Sequence, residues 1–337
     1  MTSKYPKQEF AHPEYTPPRT GILAYVPPSW VPFVELARID RPTGIYLFYW
    51  PHIFGVLYAS SLNARHGGIN LYDVVYKSMI LFVGTVFFRA AACSWNDTMD
   101  IEYDRQVLRC RLRPLARGAV IPLHAHIFTG SLTILALACL YVLPKSCWVI
   151  SLPSIFLLWL YPFAKRFTDF PQLILGIQVG IGYLMGLAAV DGDLLNESAM
   201  LYQPLYGHNH LALGAFYTAN ICWTMVYDTV YAQQDVEDDA KAGVRSMAVR
   251  FRGMAKPLLW ALSIAMTILL LTCGCLQGFG HGYMAFSCGG VLISLAYQML
   301  TIDLRSPNEC SWFFRKGTWF VGLSICSGLI LEALSIR

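Results

Sequence analysis

"LFVGTVFFRAAACSWNDTMDIEYD" (81–104) runs from a long apolar segment into four acids within nine residues: Asp97, Asp100, Glu102 and Asp104. The apolar part is too long and too uniform for a barrel strand, so it reads as a helix crossing a hydrocarbon core of roughly 30 Å, with the acids at its edge. Asp97, Asp100 and Asp104 are spaced i, i+3, i+7, which places three carboxylates on one helical face. Only 14% of the chain is charged, so negative charge this dense asks for a resident cation.

Outward from this stretch the apolar pattern recurs. The 337 residues are 55% hydrophobic and 14% aromatic, with a mean hydropathy of +0.46, which is outside the usual soluble range. Nine runs of about 20 residues are expected to span a membrane: 43–62, 74–94, 120–143, 147–163, 171–190, 211–231, 257–277, 281–302 and 317–335. The fold class expected is therefore all-α, a polytopic membrane protein with nine transmembrane helices. Nothing points to a nucleic-acid partner.

Charge on the connections sets the orientation. With a cytosolic N-terminus, the tail and the loops after helices 2, 4, 6 and 8 hold 20 of the 25 Lys and Arg, against four on the other side; Arg89 lies inside a span. That bias supports both the count and the orientation. Residues 1–29 read as a disordered cytosolic tail. Glu9, Glu14 and several prolines exclude a secretory signal or an acid-poor mitochondrial presequence, so an endoplasmic-reticulum or endomembrane location is expected. Residues 30–337 form the membrane domain, opening on an interfacial stretch with Trp30 and Phe33.

The ten cysteines are scattered through apolar runs and read as small buried hydrophobes. "HAH" (124–126), "HNH" (208–210) and "HGY" (281–283) lack a partnered ligand set for a metal.

A second acidic run, "YDTVYAQQDVEDD" (227–239), follows the sixth span. Asp228, Asp235 and Asp239 fall at i, i+7, i+11, again on one face, and four crossings put both clusters on the same side. Solvated loop acids balanced by nearby arginines would account for one such run. Two runs, each directly after a span, fit better with Mg²⁺ bridging a diphosphate, because Mg²⁺ binds through a few carboxylates plus phosphate oxygens. Arg105, Arg109, Arg113, Lys165, Arg166 and Arg245 lie in the same loops and could complete the cradle. Replacing an aspartate with Ala is expected to leave the chain folded, since like-charge repulsion is relieved.

These residues carry a resemblance. "NDTMDIEYDRQVLRCRLRP" resembles the first Asp-rich motif of the UbiA-type membrane prenyltransferases, and "YDTVYAQQDVEDD" with "GVRS" resembles their second. "LARIDRPTGIYLFYWPHIFG" (36–55) and "YPFAKRFTDFPQLILG" (161–176) extend the likeness to about residues 30–335. The resemblance implies a Mg²⁺-dependent transfer of a prenyl group from its diphosphate to an electron-rich ring. It also implies roles. Asp97, Asp100, Asp104, Asp235 and Asp239 would hold the metal, with Asn96 and Asp228 in support, and Arg105, Arg113 and Lys165 would meet diphosphate. The pocket would be dry and aromatic, since an allylic cation is quenched by water; Tyr46, Phe48, Tyr49, Trp50, Tyr161, Trp223, Tyr227 and Tyr231 are candidates.

In the ubiquinone-pathway relatives the acceptor is 4-hydroxybenzoate, whose carboxylate Arg38, Arg41 or Arg89 could meet. Arg38 and Arg41 would serve equally as headgroup anchors, whereas a charge inside a span, as at Arg89, is expensive and usually functional. The missing presequence, and Arg117 in "RPLARGAV" (113–120), depart from the mitochondrial enzymes. Both resemble the fungal enzymes that farnesylate phenolic polyketides in meroterpenoid biosynthesis. A 4-hydroxybenzoate polyprenyltransferase is the main alternative. A CDP-alcohol phosphotransferase is more distant, because "DGDLLNESAM" (191–200) lacks the Ala-Arg of that signature. A cation transporter would bury its acids at mid-membrane.

Overall fold

Backbone surrounded by hydrocarbon can satisfy its N–H and C=O groups only within its own segment, and each of the nine apolar runs folds as a helix. The computed structural model describes residues 15–16, 21–66, 68–191 and 209–335 and contains no strand among them. In chain order the helices are α1 (Val31–Leu36), α2 (Thr43–His66), α3 (Leu71–Met99), α4 (Ile101–Asp104), α5 (Pro122–Val142), α6 (Lys145–Phe167) and α7 (Pro171–Val190). After the undescribed 192–208 come α8 (His210–Ala232), α9 (Val236–Ala242), α10 (Met247–Arg250), α11 (Ala255–Gln277), α12 (His281–Thr301) and α13 (Pro307–Leu334).

Among the described residues seven helices are long and apolar enough to cross a membrane: α3, α5, α6, α7, α11, α12 and α13. The other two long helices, α2 and α8, have 24 and 23 residues and a more polar composition. They run through the middle of the bundle, α2 against α3, α7 and α13 and α8 against α7 and α11, so most of their surface is covered by protein. The expected run 317–335 begins ten residues earlier, at Pro307, because a π-helical turn, Phe313–Gly317, carries the helix through Arg315 and Lys316.

The core joins α2, α7 and α8 through Phe54, Tyr58, Tyr183, Phe216 and Trp223. Apolar solvent does not drive helices together inside a bilayer, so close packing of small residues must do so. A Cβ on Gly55 would lie 2.0 Å from the Tyr183 carbonyl oxygen, and one on Gly186 would lie 2.0 Å from that of His52. The α2–α7 crossing therefore depends on both glycines.

Within the expected tail, Gly21–Ala24 forms a 3-10 turn and Tyr15 contacts the protein; residues 1–14 and 17–20 lie outside the described residues. All ten cysteines are free and most are buried. His126 packs its ring near that of Trp95. His208 and residues 192–200 of the "DGDLLNESAM" stretch fall outside the described residues.

Candidate active site

The site forms where α3 and α8 end. Helix α3 stops at Met99, Asp100 adopts φ −104° and ψ 12°, and α4 then makes a single further turn. Helix α8 passes through a 3-10 turn, Gln233–Asp235, into α9. The first loop reaches the second directly. Arg109 Nε donates to Asp235 Oδ1 at 2.9 Å, and its Nη1 donates to the Tyr231 hydroxyl at 2.7 Å. The Leu108 amide meets Asp238 at 3.3 Å. The backbone N–H of Arg245 donates to the Lys165 carbonyl at 3.1 Å, bringing in the α6–α7 connection. Both acidic runs thus open on one cavity of about 630 Å³, whose walls include Asn96, Asp100, Asp104, Asp228, Asp235 and Asp239.

The three acids of the first run do not act as one face, because the helix breaks at Asp100. Asp97, 1% exposed, accepts from Arg38 Nη2 at 2.7 Å and from Arg113 Nη1 at 3.1 Å. The same Arg113 nitrogen donates to both oxygens of Asp104 at 2.8 Å. Asp100 turns elsewhere and takes Lys165 Nζ at 2.9 Å, with Arg166 4.0 Å away. The repulsion read from the spacing is thus offset by four basic side chains from three other segments. Removing Asp97 consequently does not relieve a strain, as expected from the sequence; it strands two guanidinium groups against a buried position.

Burial, then the neighbouring Asp97, pushes the Asp104 carboxyl up to about 6 against the pull of Arg113. Burial and Asp235 push Asp239 up to about 6 as well. Arg113 is held well above its ordinary value by Asp97 and Asp104, which outweigh its own burial.

Do these residues fit a divalent cation? Among the described residues no three acid, His or Cys side chains stand close enough together to hold one. Yet the donors facing the cavity are hard oxygens, the kind Mg²⁺ takes. Asn96 contributes a buried Oδ1 with no hydrogen-bond partner, an acceptor that costs free energy until something is bound to it. The acids whose carboxyls are raised stand beside it on the cavity wall. The donor set fits Mg²⁺ once the basic side chains turn from the carboxylates towards an anion.

The remaining expected residues divide. Arg38, Arg41, Arg89, Arg113 and Lys165 line the cavity, as do Arg109, Arg166 and Arg245. Arg105 does not line it: its guanidinium turns outward to Glu102 at 2.9 Å and to the Ala116 carbonyl at 3.2 Å, because the chain leaves α4 on the water side. Arg41, 76% exposed, pairs with Asp40 at the rim. Arg89 lies 5.3 Å from the Phe48 ring centroid, with a buried Nε that has no partner. A Cβ on Gly44 would sit 2.6 Å from its Nη2, so Gly44 is what admits this guanidinium.

Of the aromatic candidates, Phe48, Tyr161, Tyr227 and Tyr231 line the cavity. Tyr46, Tyr49, Trp50 and Trp223 pack instead against Trp319, Phe82, Phe54 and Tyr227. Gln178 and Phe314 also form its walls; Gln178 is a single polar residue in an apolar run and Phe314 one of several aromatics in "SWFFRKG", with no spacing that marks either. A smaller, largely apolar cavity continues from Phe48 and Gln178 between α2, α3, α5, α6 and α7, past Ala136, Leu140 and Met185.

An α-helical membrane bundle with two acidic runs, basic side chains and aromatic rings around one cavity defines a membrane protein with a charged site at the helix ends and an apolar cavity beside it. Residues 48–323 match the UbiA prenyltransferase family, and the chain belongs to that family; it is a prenyltransferase. Among curated relatives, it is 37% identical to prenyltransferase ascA of Acremonium egyptiacum over 94% of this chain and 90% of that one. It is 34% identical to the DMOA farnesyltransferase nvfB of Aspergillus novofumigatus, covering 93% and 95%. It is 35% identical to the mitochondrial 4-hydroxybenzoate polyprenyltransferase of Arabidopsis thaliana, covering 91% and 70%. The fold resembles that of a UbiA homolog from Archaeoglobus fulgidus solved with GPP and Mg²⁺, with a TM-score of 0.63, 17% identity, and coverage of 90% and 99%.

Proposed function

We propose that this enzyme transfers a farnesyl group from farnesyl diphosphate to a ring carbon of a phenolic polyketide acceptor, a step of meroterpenoid biosynthesis. The observation that carries this reading is the near full-length likeness to fungal prenyltransferases, one of them named a farnesyltransferase. We further read α2 and α8 as the two remaining crossings of a nine-span bundle. The acidic runs then face the cytosol from an endoplasmic-reticulum or endomembrane bilayer, as the Lys and Arg bias supports.

In this reading Asp97, Asp100, Asp104, Asp235 and Asp239, with Asn96 and Asp228 in support, hold Mg²⁺, whose chemistry when bound is to offset charge building on the leaving diphosphate. Arg113 pairs with Asp97 and Asp104, Lys165 with Asp100 and Arg109 with Asp235, and all three stand at the cavity wall. They turn to the diphosphate oxygens, a fixed positive field aimed where charge develops. The C1–O bond breaks with its electron pair leaving on the diphosphate. The faces of Phe48, Tyr161, Tyr227 and Tyr231 stabilise the allylic cation without attacking it. The ring of the phenol supplies the electron pair for the new C–C bond and loses its proton to regain aromaticity. The apolar cavity beyond Phe48 and Gln178 takes the farnesyl tail.

A second reading, a 4-hydroxybenzoate polyprenyltransferase, has the Arabidopsis relative in its favour, and Arg89 with Arg38 or Arg41 suits a carboxylated acceptor. One experiment separates them. Membranes containing the protein receive Mg²⁺, dimethylallyl through long-chain polyprenyl diphosphates, and a panel including orsellinic acid and 4-hydroxybenzoate; products are identified by mass. A C-farnesylated phenolic polyketide is expected. A dominant long-chain 4-hydroxybenzoate product would establish the second reading.

A further inference from the structure

Arg117, the residue that sets "RPLARGAV" apart, lies beside the site without touching the cavity. Its Nη1 donates to the Leu112 carbonyl, one residue before Arg113, and its Nη2 donates to Glu35. Glu35 lies near the end of α1, three residues before Arg38, and the Arg38 amide donates to the Glu35 carbonyl at 3.0 Å. Both members of the pair are about one-tenth exposed. The hydroxyl of Tyr15 donates to the other Glu35 oxygen, and the Arg117 guanidinium stands 4.0 Å from the Tyr15 ring centroid. The packing beneath is apolar: Leu36, Leu115, Val120 and Ala125 form one buried cluster.

One guanidinium therefore ties the backbone ahead of Arg113 to the helix that leads into Arg38. Those are the two arginines whose side chains converge on Asp97 Oδ1. Arg38 needs such a hold. Its φ of 54° is left-handed, which costs a non-glycine residue about 1 kcal/mol and persists only where the surroundings enforce it.

We propose that Glu35 and Arg117, capped by Tyr15, are positioning residues that set Arg38 and Arg113 against Asp97. They thereby fix the diphosphate end of the site. The proposal rests on the prenyl-transfer reading for its kinetics. Its structural arm is independent of that reading.

The full-length protein is purified in detergent as wild type, Tyr15→Phe, Glu35→Gln, Arg117→Lys and Arg117→Ala. Arg117→Ala should raise KM for farnesyl diphosphate about tenfold and raise the Mg²⁺ concentration for half-maximal rate, while KM for the phenol stays put. Arg117→Lys keeps the charge but cannot bridge Leu112 and Glu35, so it should not restore the donor KM. Tyr15→Phe and Glu35→Gln, which keep size and shape, should shift the donor KM in the same direction by less. Hydrogen exchange at amides 108–118 should quicken in Arg117→Ala, with or without inorganic pyrophosphate and Mg²⁺. Unchanged exchange there overturns the proposal whatever the activity. A fall in kcat with the donor KM and Mg²⁺ requirement unmoved reduces the pair to a structural contact and overturns it too. Should wild type prenylate no phenol at all, the functional reading falls, while the exchange comparison still decides the proposal.

Discussion

Asp97 sits in the last turn of α3, 1% exposed and shared by two arginines. Removing one partner of a buried ion pair costs more than the pair contributes, because the charge left behind has lost its water and its counter-ion. We expect Asp97→Ala to lower stability by about 3 kcal/mol, the low end for such a loss since both arginines keep some access to water. Thermal unfolding in detergent measures it. Asp239→Ala, at a carboxyl that burial and Asp235 already disfavour in its charged form, should leave the melting temperature within a degree or two while removing nearly all turnover. Equal destabilisation by both substitutions would contradict these assignments. Spacing singled out these acids. It could not reveal their partners: Arg38 is 59 residues away in sequence and reaches Asp97 only through a left-handed turn that no local pattern announces.

At the scale of helices, the nine runs were legible because lipid imposes its own length and apolarity. Most starts and ends followed closely, but α2, α3 and α6 run on to His66, Met99 and Phe167, past the expected 62, 94 and 163, and a π-helical turn carries α13 through two basic residues. Less legible was the division of aromatics between cavity and packing. Helices α2 and α8 are covered on nearly all sides, and composition alone does not show which side of each meets the cavity. Trp50 and Trp223, for instance, turned into the core. Two expectations belong to this scale. A methyl group at Gly44 would meet the Arg89 guanidinium at 2.6 Å, so Gly44→Ala should displace Arg89 and raise KM for a carboxylated phenol several-fold. A matched acceptor without the carboxylate should be spared, and steady-state assays on the pair test this. In the apolar cavity, Ala136→Trp should shift preference from farnesyl to shorter diphosphates, and Met185→Ala towards longer ones, as read by competition with mixed donors. No change in product length from either would remove this cavity as the tail site.

For the whole molecule, Arg109, just past the first acidic run, meets Asp235 of the second across 126 residues of sequence, and that contact requires positions 115 and 245 to emerge at the same end of the bundle. Glycosylation acceptors or tags near 10, 115, 168, 245 and 308 should therefore report one compartment, the cytosol, and those near 65, 145, 195 and 280 the other. Opposite reports from 115 and 245 would be incompatible with a shared site. Lys and Arg counts predict the side of the bilayer, whereas the meeting of the runs depends on how four intervening helices pack. The pairing of acids and bases also bears on how the chain is made. Arg38 precedes Asp97 and Arg113 follows it by only 16 residues, so the first hairpin can enter the membrane with its buried carboxylate already neutralised. Arg109 gains its partner only when Asp235 has been synthesised. The first acidic run can thus be secured early in translation, and the site is completed only when the second half of the chain has threaded into the bilayer.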